Sequence, residues 1–397
     1  MTFIAHSSAF GIRNPSRRIH HSSFIIHRSS FIPALAIVCL SFSGSAAQAL
    51  ELSSGAEQVC FVFTGTRHSE LEPCGCHDLQ SGGVDHEAYI FDGLRKTYPN
   101  FVAMEVGAWT DPFMNPNERL KTDFLVKALG EMRFTVFNIT PYDLAFGTTY
   151  PLQLAQDGGC LISANVHVSP RNSPTTTTAP SRPYDPYTIV EVPRRDGRRP
   201  IRVGVIGVTD SRALDFRGLA QLKSTTQIPD CVVFSATETL KAYLPQIRKQ
   251  ADYVIALAMM DLKSAQAMPA IEGMDLLVTT KDDQSQAAMA AVHTSTWVHT
   301  GFYGRSFHKV ILTFDEENRP IRISGSREDV PLASPSVAAM TNLLDQYREE
   351  TKKLTRKMEV AIEKSRYIGR VSCINCHSSQ YMQWTRTAHN FAYLTLA

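Results

Sequence analysis

The 397-residue chain is short of net charge: 40 basic against 38 acidic side chains leave a formal +2. No bulk field is there to collect nucleic acid or an anionic membrane. The basic run "PRRDGRRP" at 193–200 reads as a solvated hairpin turn rather than a binding patch. Long apolar runs are also scarce. The stretch from Phe31 to Phe42 falls short of the roughly 20 residues a membrane-spanning helix needs. A second C-x-x-C is missing, so the pair Cys373 and Cys376 has no partner motif with which to complete a four-cysteine zinc site.

What is present suits an exported globular protein of two or three units, with 43% apolar and 20% charged residues. Arg28 precedes the apolar run, small residues follow it, and Ala47-Gln48-Ala49 has the A-x-A form of a signal peptidase site. Residues 1–49 therefore read as an N-terminal extension plus signal peptide, cleaved after Ala49, which implies a periplasmic or otherwise exported protein. An uncleaved segment is the alternative and the one route to membrane association. Residues 1–28 match no domain, and a start codon assigned too far upstream explains them. Seven of the eight cysteines follow Ala49, an odd number that cannot pair completely within one chain.

From 58 to about 330, strand-like and helix-like runs alternate. "QVCFVFTG", "NFVAMEVG", "IRVGVIGVT" and "ADYVIALAMM" read as buried strands, and "ERLKTDFLVKALGEM" has helical spacing. This alternation argues for an α/β fold with sheets covered by helices. The order "FTGTRHSELEPCGC…GG", "EVGAW", "FNITPYDLAFG", "LISANV", "VGVIGVTD" resembles the catalytic half of the exported 5′-nucleotidase and metallophosphoesterase family. The resemblance implies a four-layer αββα sandwich over residues 50–330. In active members, two metal ions at the strand ends clamp the attacking and leaving oxygens of a phosphoester.

The ligands that the family places at five strand ends are mostly replaced. Asp-x-His becomes Thr66-Arg67-His68, Gly-Asp becomes Gly107-Ala108, and Gly-Asn-His with its acid becomes Thr140-Pro141-Tyr142 followed by Asp143. A lone His becomes Met259-Met260, and Gly-His-x-His becomes Thr280-Lys281-Asp282-Asp283. The family's binuclear site is therefore not expected. A divalent ion remains conceivable on Cys74 and Cys76 of "CGCH" together with His68, since Cys and His at such spacing can ligate zinc or copper. A tight structural turn is the other reading of "PCGC". The helix that opens after Gly82-Gly83 offers an N-terminus to an anion.

Residues 331–367 read as a linker helix with a heptad stripe through Met340, Leu344, Tyr347, Thr351, Leu354, Met358 and Ala361. Residues 368–397 then carry Cys373, Cys376 and His377 as C-x-x-C-H, the haem c attachment pattern. The stretch "YIGRVSCINCHSSQYMQWTRTAHNFAYLTL" resembles the first module of exported multihaem c-type cytochromes. That resemblance implies a small helical haem c module cut short, with His377 on the haem iron and His389 as a possible distal ligand. It leads to the expectation of an electron-transfer cytochrome with a redox partner protein or further haems, and with a degenerate phosphoesterase-like domain for docking or ligand binding. The alternative is a metal-dependent phosphoester hydrolase of 5′-nucleotidase type.

Overall fold

In the computed structural model, the chain divides into two units, Met1–Glu51 and Leu52–Ala397. The structure describes residues 55–73, 81–111, 116–156, 158–169, 180–214, 230–280, 290–292, 295–364, 378–385 and 387, all in the second unit. The leader, Cys74, Cys76, Cys373, Cys376, His377 and His389 lie outside the described residues.

Two six-stranded sheets make the centre. In the first, β1 (Glu57–Thr64), β2 (Phe101–Glu105), β3 (Val136–Asn138) and β4 (Cys160–Ile162) run parallel. Antiparallel β13 (Ser306–Phe314) and β14 (Pro320–Asp329) extend it beyond β1. In the second, β7 (Ile201–Thr209), β9 (Tyr253–Met259), β10 (Leu276–Thr280) and β12 (Ser295–His299) are parallel. The short β11 (Ala290–Val292) and β6 (Tyr187–Val192) form its antiparallel edges. A two-stranded ribbon joins β5 (Val166–Ser169) to β8 (Asp230–Val233).

The apolar runs become strands because both faces of each sheet are covered, the usual situation of parallel strands. Side chains alternate between faces. On β1, Val59, Phe61 and Phe63 enter a core between the sheets, while Cys60 and Val62 enter a core beneath helices. On β9, Tyr253, Ile255 and Leu257 face the first sheet, and Val254, Ala256 and Ala258 face outward. Three cores therefore separate four layers. The helical layer on the first sheet holds α1 (Val84–Thr97) and α2 (Pro116–Glu131), with the short α3 (Leu152–Gln156). The layer on the second holds α4 (Ala236–Arg248) and α5 (Leu262–Gln266). Ser235 caps α4 by accepting the amide hydrogen of Glu238, and Leu240, Leu244 and Ile247 form its buried stripe.

One expectation needs correction here. The "PRRDGRRP" turn does join β6 to β7, but it is not simply solvated. The buried Arg194 side chain donates to the Gly55 and Asp315 carbonyls, Asn318 Oδ1 and Asp196. It knits the hairpin to the β13–β14 turn and to the start of β1. The long helix, α6 (Ala338–Lys364), packs its stripe along the sandwich over its first turns. Met340 and Leu344 are buried in the first core, and Tyr347 meets Phe124 of α2 edge-on at 5.6 Å. Further along the same stripe Leu354 is only half-buried. Most of the expected haem c module lies outside the described residues. What is described there is α7 (Ser378–Thr385), a helix with no buried residue.

Candidate functional site

The parallel strands of each sheet end on one side, where loops carry the side chains that a parallel sheet offers to a ligand. Thr66, two residues beyond β1, and Thr280, the last residue of β10, meet there through their hydroxyls at 2.7 Å. Thr300 donates its hydroxyl to Thr280 at 3.1 Å. The ends of the two sheets are thus joined through the Thr280 hydroxyl, which bonds both Thr66 and Thr300, all three buried. Gly65 permits the approach, since a Cβ there would stand 2.5 Å from Thr280 Oγ1.

The backbone around this point is bent into the left-handed region at Thr66 (φ 48°), His68 (48°), Ser69 (59°) and Ala108 (57°). Such angles are uncommon for non-glycine residues and costly for a β-branched one. The bend is held by a ladder between the loops after β1 and β2. Thr66 donates its amide to Gly107 O (2.8 Å), His68 to Ala108 O (3.2 Å), and Ser69 to Trp109 O (2.8 Å). His68 is half-buried, its ring centroid 5.4 Å from Tyr303 and 6.4 Å from Tyr142.

Asp143 sits in a single 3-10 turn after β3 and closes the same loops from below. Its Oδ2 accepts from Ala108 N (3.1 Å), Thr140 N (2.9 Å) and Thr140 Oγ1 (2.7 Å), and its Oδ1 from Thr110 N (3.1 Å). Burial pushes its carboxyl up to about 7, against these four donors, which favour the ion. Asn138, at the end of β3, ties the sheets together by donating to Val106 O (2.9 Å) and Val208 O (3.1 Å). Asn165 of the "SANV" stretch clamps β7 to the β8–α4 turn by donating to Thr209 O and Phe234 O, both at 2.7 Å.

Sequence reasoning missed the charged group beside this point. Arg67 is wholly buried and donates through Nη1 and Nη2 to both oxygens of Glu87, at 2.9 and 2.6 Å, and through Nε to Glu105 Oε2 at 2.8 Å. Burial works against its charge, but Glu87 and Glu105 outweigh that and hold the guanidinium above its ordinary value. Its signal was Glu105 itself, a lone carboxylate inside the apolar strand "FVAMEV".

The five aligned positions can now be judged against a pair of metal ions. The structure brings the first and fifth together at Thr66 and Thr280, and the first and second at the His68 to Ala108 bond. Yet the hydroxyls bond to one another, Ala108 offers no donor atom, and Asp143 already has its hydrogen bonds. Met259 and Met260 are buried thioethers at the end of β9. Among the described residues, no three His, Cys, Asp or Glu side chains are grouped to hold a metal. The described residues therefore do not fit the family's ion pair. His68 is half-buried in the loop after β1; Lys281 and Asp283 lie outside the described residues.

No family model matches this sequence. No curated protein matches it either. Solved structures do. The sandwich superposes on a 5′-nucleotidase precursor from Thermus thermophilus with a TM-score of 0.56 at 16% identity, covering 75% of this chain and 60% of that one. It superposes on the calcineurin-like phosphoesterase YfkN from Bacillus subtilis at 0.55 and 14%, covering 76% and 99%. On the sulfate thiohydrolase SoxB from Thermus thermophilus the score is 0.59 at 11%, covering 75% and 61%. The chain spans about three fifths of the length of the nucleotidase it matches. These likenesses show a metallophosphoesterase-type fold. They also correct the expectation of an electron-transfer cytochrome. Three quarters of the chain is built like these hydrolases, and none of these neighbours is a cytochrome or carries a fused haem module in its description.

Proposed function

We propose that the chain is a phosphoester hydrolase of the 5′-nucleotidase type, acting where the carboxyl ends of the two sheets meet. One observation carries the reading. Residues distant in sequence, Thr66, His68, Ala108 and Thr280, converge on the strand ends of a fold shared with nucleotidases and a calcineurin-like phosphoesterase. A metal ion in such a place polarises the phosphoryl oxygen. Because the described residues do not fit two ions, a single divalent ion is proposed, on His68 with Cys74 and Cys76. One imidazole and two thiolates suit zinc. Export through residues 1–49 belongs to the same proposal, and the mature protein then begins at Leu50.

A second reading is binding of a phosphoester without turnover. The bonded pair Thr66 and Thr280 favours it, because neutral hydroxyls stand where the family's ligands are expected. One experiment separates the two. The purified protein, loaded with zinc or manganese, is given nucleoside monophosphates and bis(p-nitrophenyl) phosphate, and released product and bound nucleotide are both measured. Release that is lost on chelation and in His68→Ala supports hydrolysis. Binding without release supports the second reading. Neither binding nor release sinks both.

A further inference from the structure

Arg67, Glu87 and Glu105 meet in the first sheet's helical core, with side chains 0, 1 and 0% exposed. Fully ionised, they amount to one positive and two negative charges away from water. The guanidinium cannot give up its proton, so the surplus falls on the carboxyls.

The geometry divides the two acids unequally. Glu87, from α1, receives both terminal nitrogens of Arg67 in a bidentate fork. Glu105, from β2, receives only Nε, at 2.8 Å, and the Thr64 hydroxyl from β1, at 2.5 Å. Both of those donors use Oε2. Oε1 is buried and has no hydrogen-bond partner among the described residues. An anionic oxygen so placed is costly, and a proton removes most of that cost. Phe134 lies 5.5 Å from the guanidinium carbon and shields the cluster on a further side.

We propose that Glu105 is a neutral carboxylic acid in the folded protein, holding a proton that balances the charge of the buried cluster. Burial pushes Glu105 upward, against the pull of Arg67 and Thr64, while Glu87 adds to the push. The charged groups acting on it are Arg67, from the loop after β1, and Glu87, from α1. The folded chain therefore carries a proton at Glu105 that the unfolded chain has lost above the ordinary glutamate value of about 4.3.

Infrared spectroscopy of the whole protein in heavy water near neutral pH tests this. A carboxylic-acid carbonyl band is expected, and a component of it disappears in Glu105→Gln. Asp143 contributes a band of its own near its value of about 7, so the assignment rests on the variant. The same variant is expected to lose a pH dependence. Through the window above 4.3, the wild-type unfolding constant rises about tenfold more per pH unit than that of Glu105→Gln. A purely structural Glu105 leaves both profiles parallel, and that result, or a band unchanged in Glu105→Gln, overturns the proposal. Should Glu105→Gln not fold, Glu87→Gln serves instead. It leaves Arg67 with one carboxylate, so Glu105 ionises and the band weakens by its component; a band of undiminished intensity overturns the proposal equally.

Discussion

The hydroxyls of Thr66 and Thr280 are hydrogen-bonded at 2.7 Å although 214 residues separate them in the chain. One follows β1 of the first sheet and the other ends β10 of the second, so this contact closes the sandwich where its strands terminate. Removing the shared partner exposes its worth. In Thr280→Val, the Thr66 and Thr300 hydroxyls both lose their bond to it in a buried place. The expected loss is about 1–3 kcal/mol, read as a lower urea midpoint with unchanged slope.

Arg67→Met removes the sole cation from two buried carboxyls. Breaking a buried pair in this way costs roughly 3–5 kcal/mol, because the Glu87 charge left behind is uncompensated. Glu105→Gln, which keeps the shape and removes only the acid, is expected to cost far less near neutral pH. Comparable losses in the two variants, measured by urea unfolding, contradict the charge count.

His308 on β13 is fully buried, and burial pushes its imidazole down to about 4. The unfolded chain binds a proton on this side chain below about 6.5, whereas the folded chain does not until about 4. More protons on the unfolded state below 6.5 mean that stability is lost as pH falls from there toward 4. His308→Phe is expected to flatten that limb of the stability profile. An acid limb as steep as in the wild type means that other groups cause it.

The stripe on α6 offers a comparison within one helix. Leu344→Ala, in the core, is expected to cost about 2–5 kcal/mol, since Leu344 is 2% exposed. Leu354→Ala, at a half-buried position, is expected to cost under about 1 kcal/mol. Equal losses show that the second half of the stripe is packed in solution.

Chelation is expected to separate activity from stability. The strand ends are held by threonine hydroxyls, Asp143 and Asn138 rather than by ligands to an ion. Dialysis against a strong chelator should therefore abolish any phosphate release while leaving the thermal midpoint where it was. A midpoint that drops on chelation places a structural ion in the fold.

Much of this architecture was legible in the residues. Continuous, β-branched apolar runs such as "IRVGVIGVT" suit strands covered on both faces, and those runs became β7 and its neighbours. The replaced ligand positions were likewise readable one by one, since Ala108 and Met259 have no oxygen or nitrogen to offer wherever they stand. β14 was not foreseen. Its residues are mostly exposed, so neither a buried run nor a clean alternation marks it, and the pairing with β13 creates it. The C-x-x-C-H motif drew the functional reading toward some 30 terminal residues; the fold of about three quarters of the chain is shared with hydrolase structures.

Composition and periodicity by themselves determined that helices would cover parallel sheets, because local apolar patterning decides which faces must leave water. Only the tertiary structure decided the partners. Arg67 with Glu87 and Glu105, Thr66 with Thr280, and Asp143 with the loop after β2 are chosen by chain crossings that bring distant strand ends together. A hydrogen bond or an ion pair depends on distance and burial, and neither is encoded at any single position in the chain.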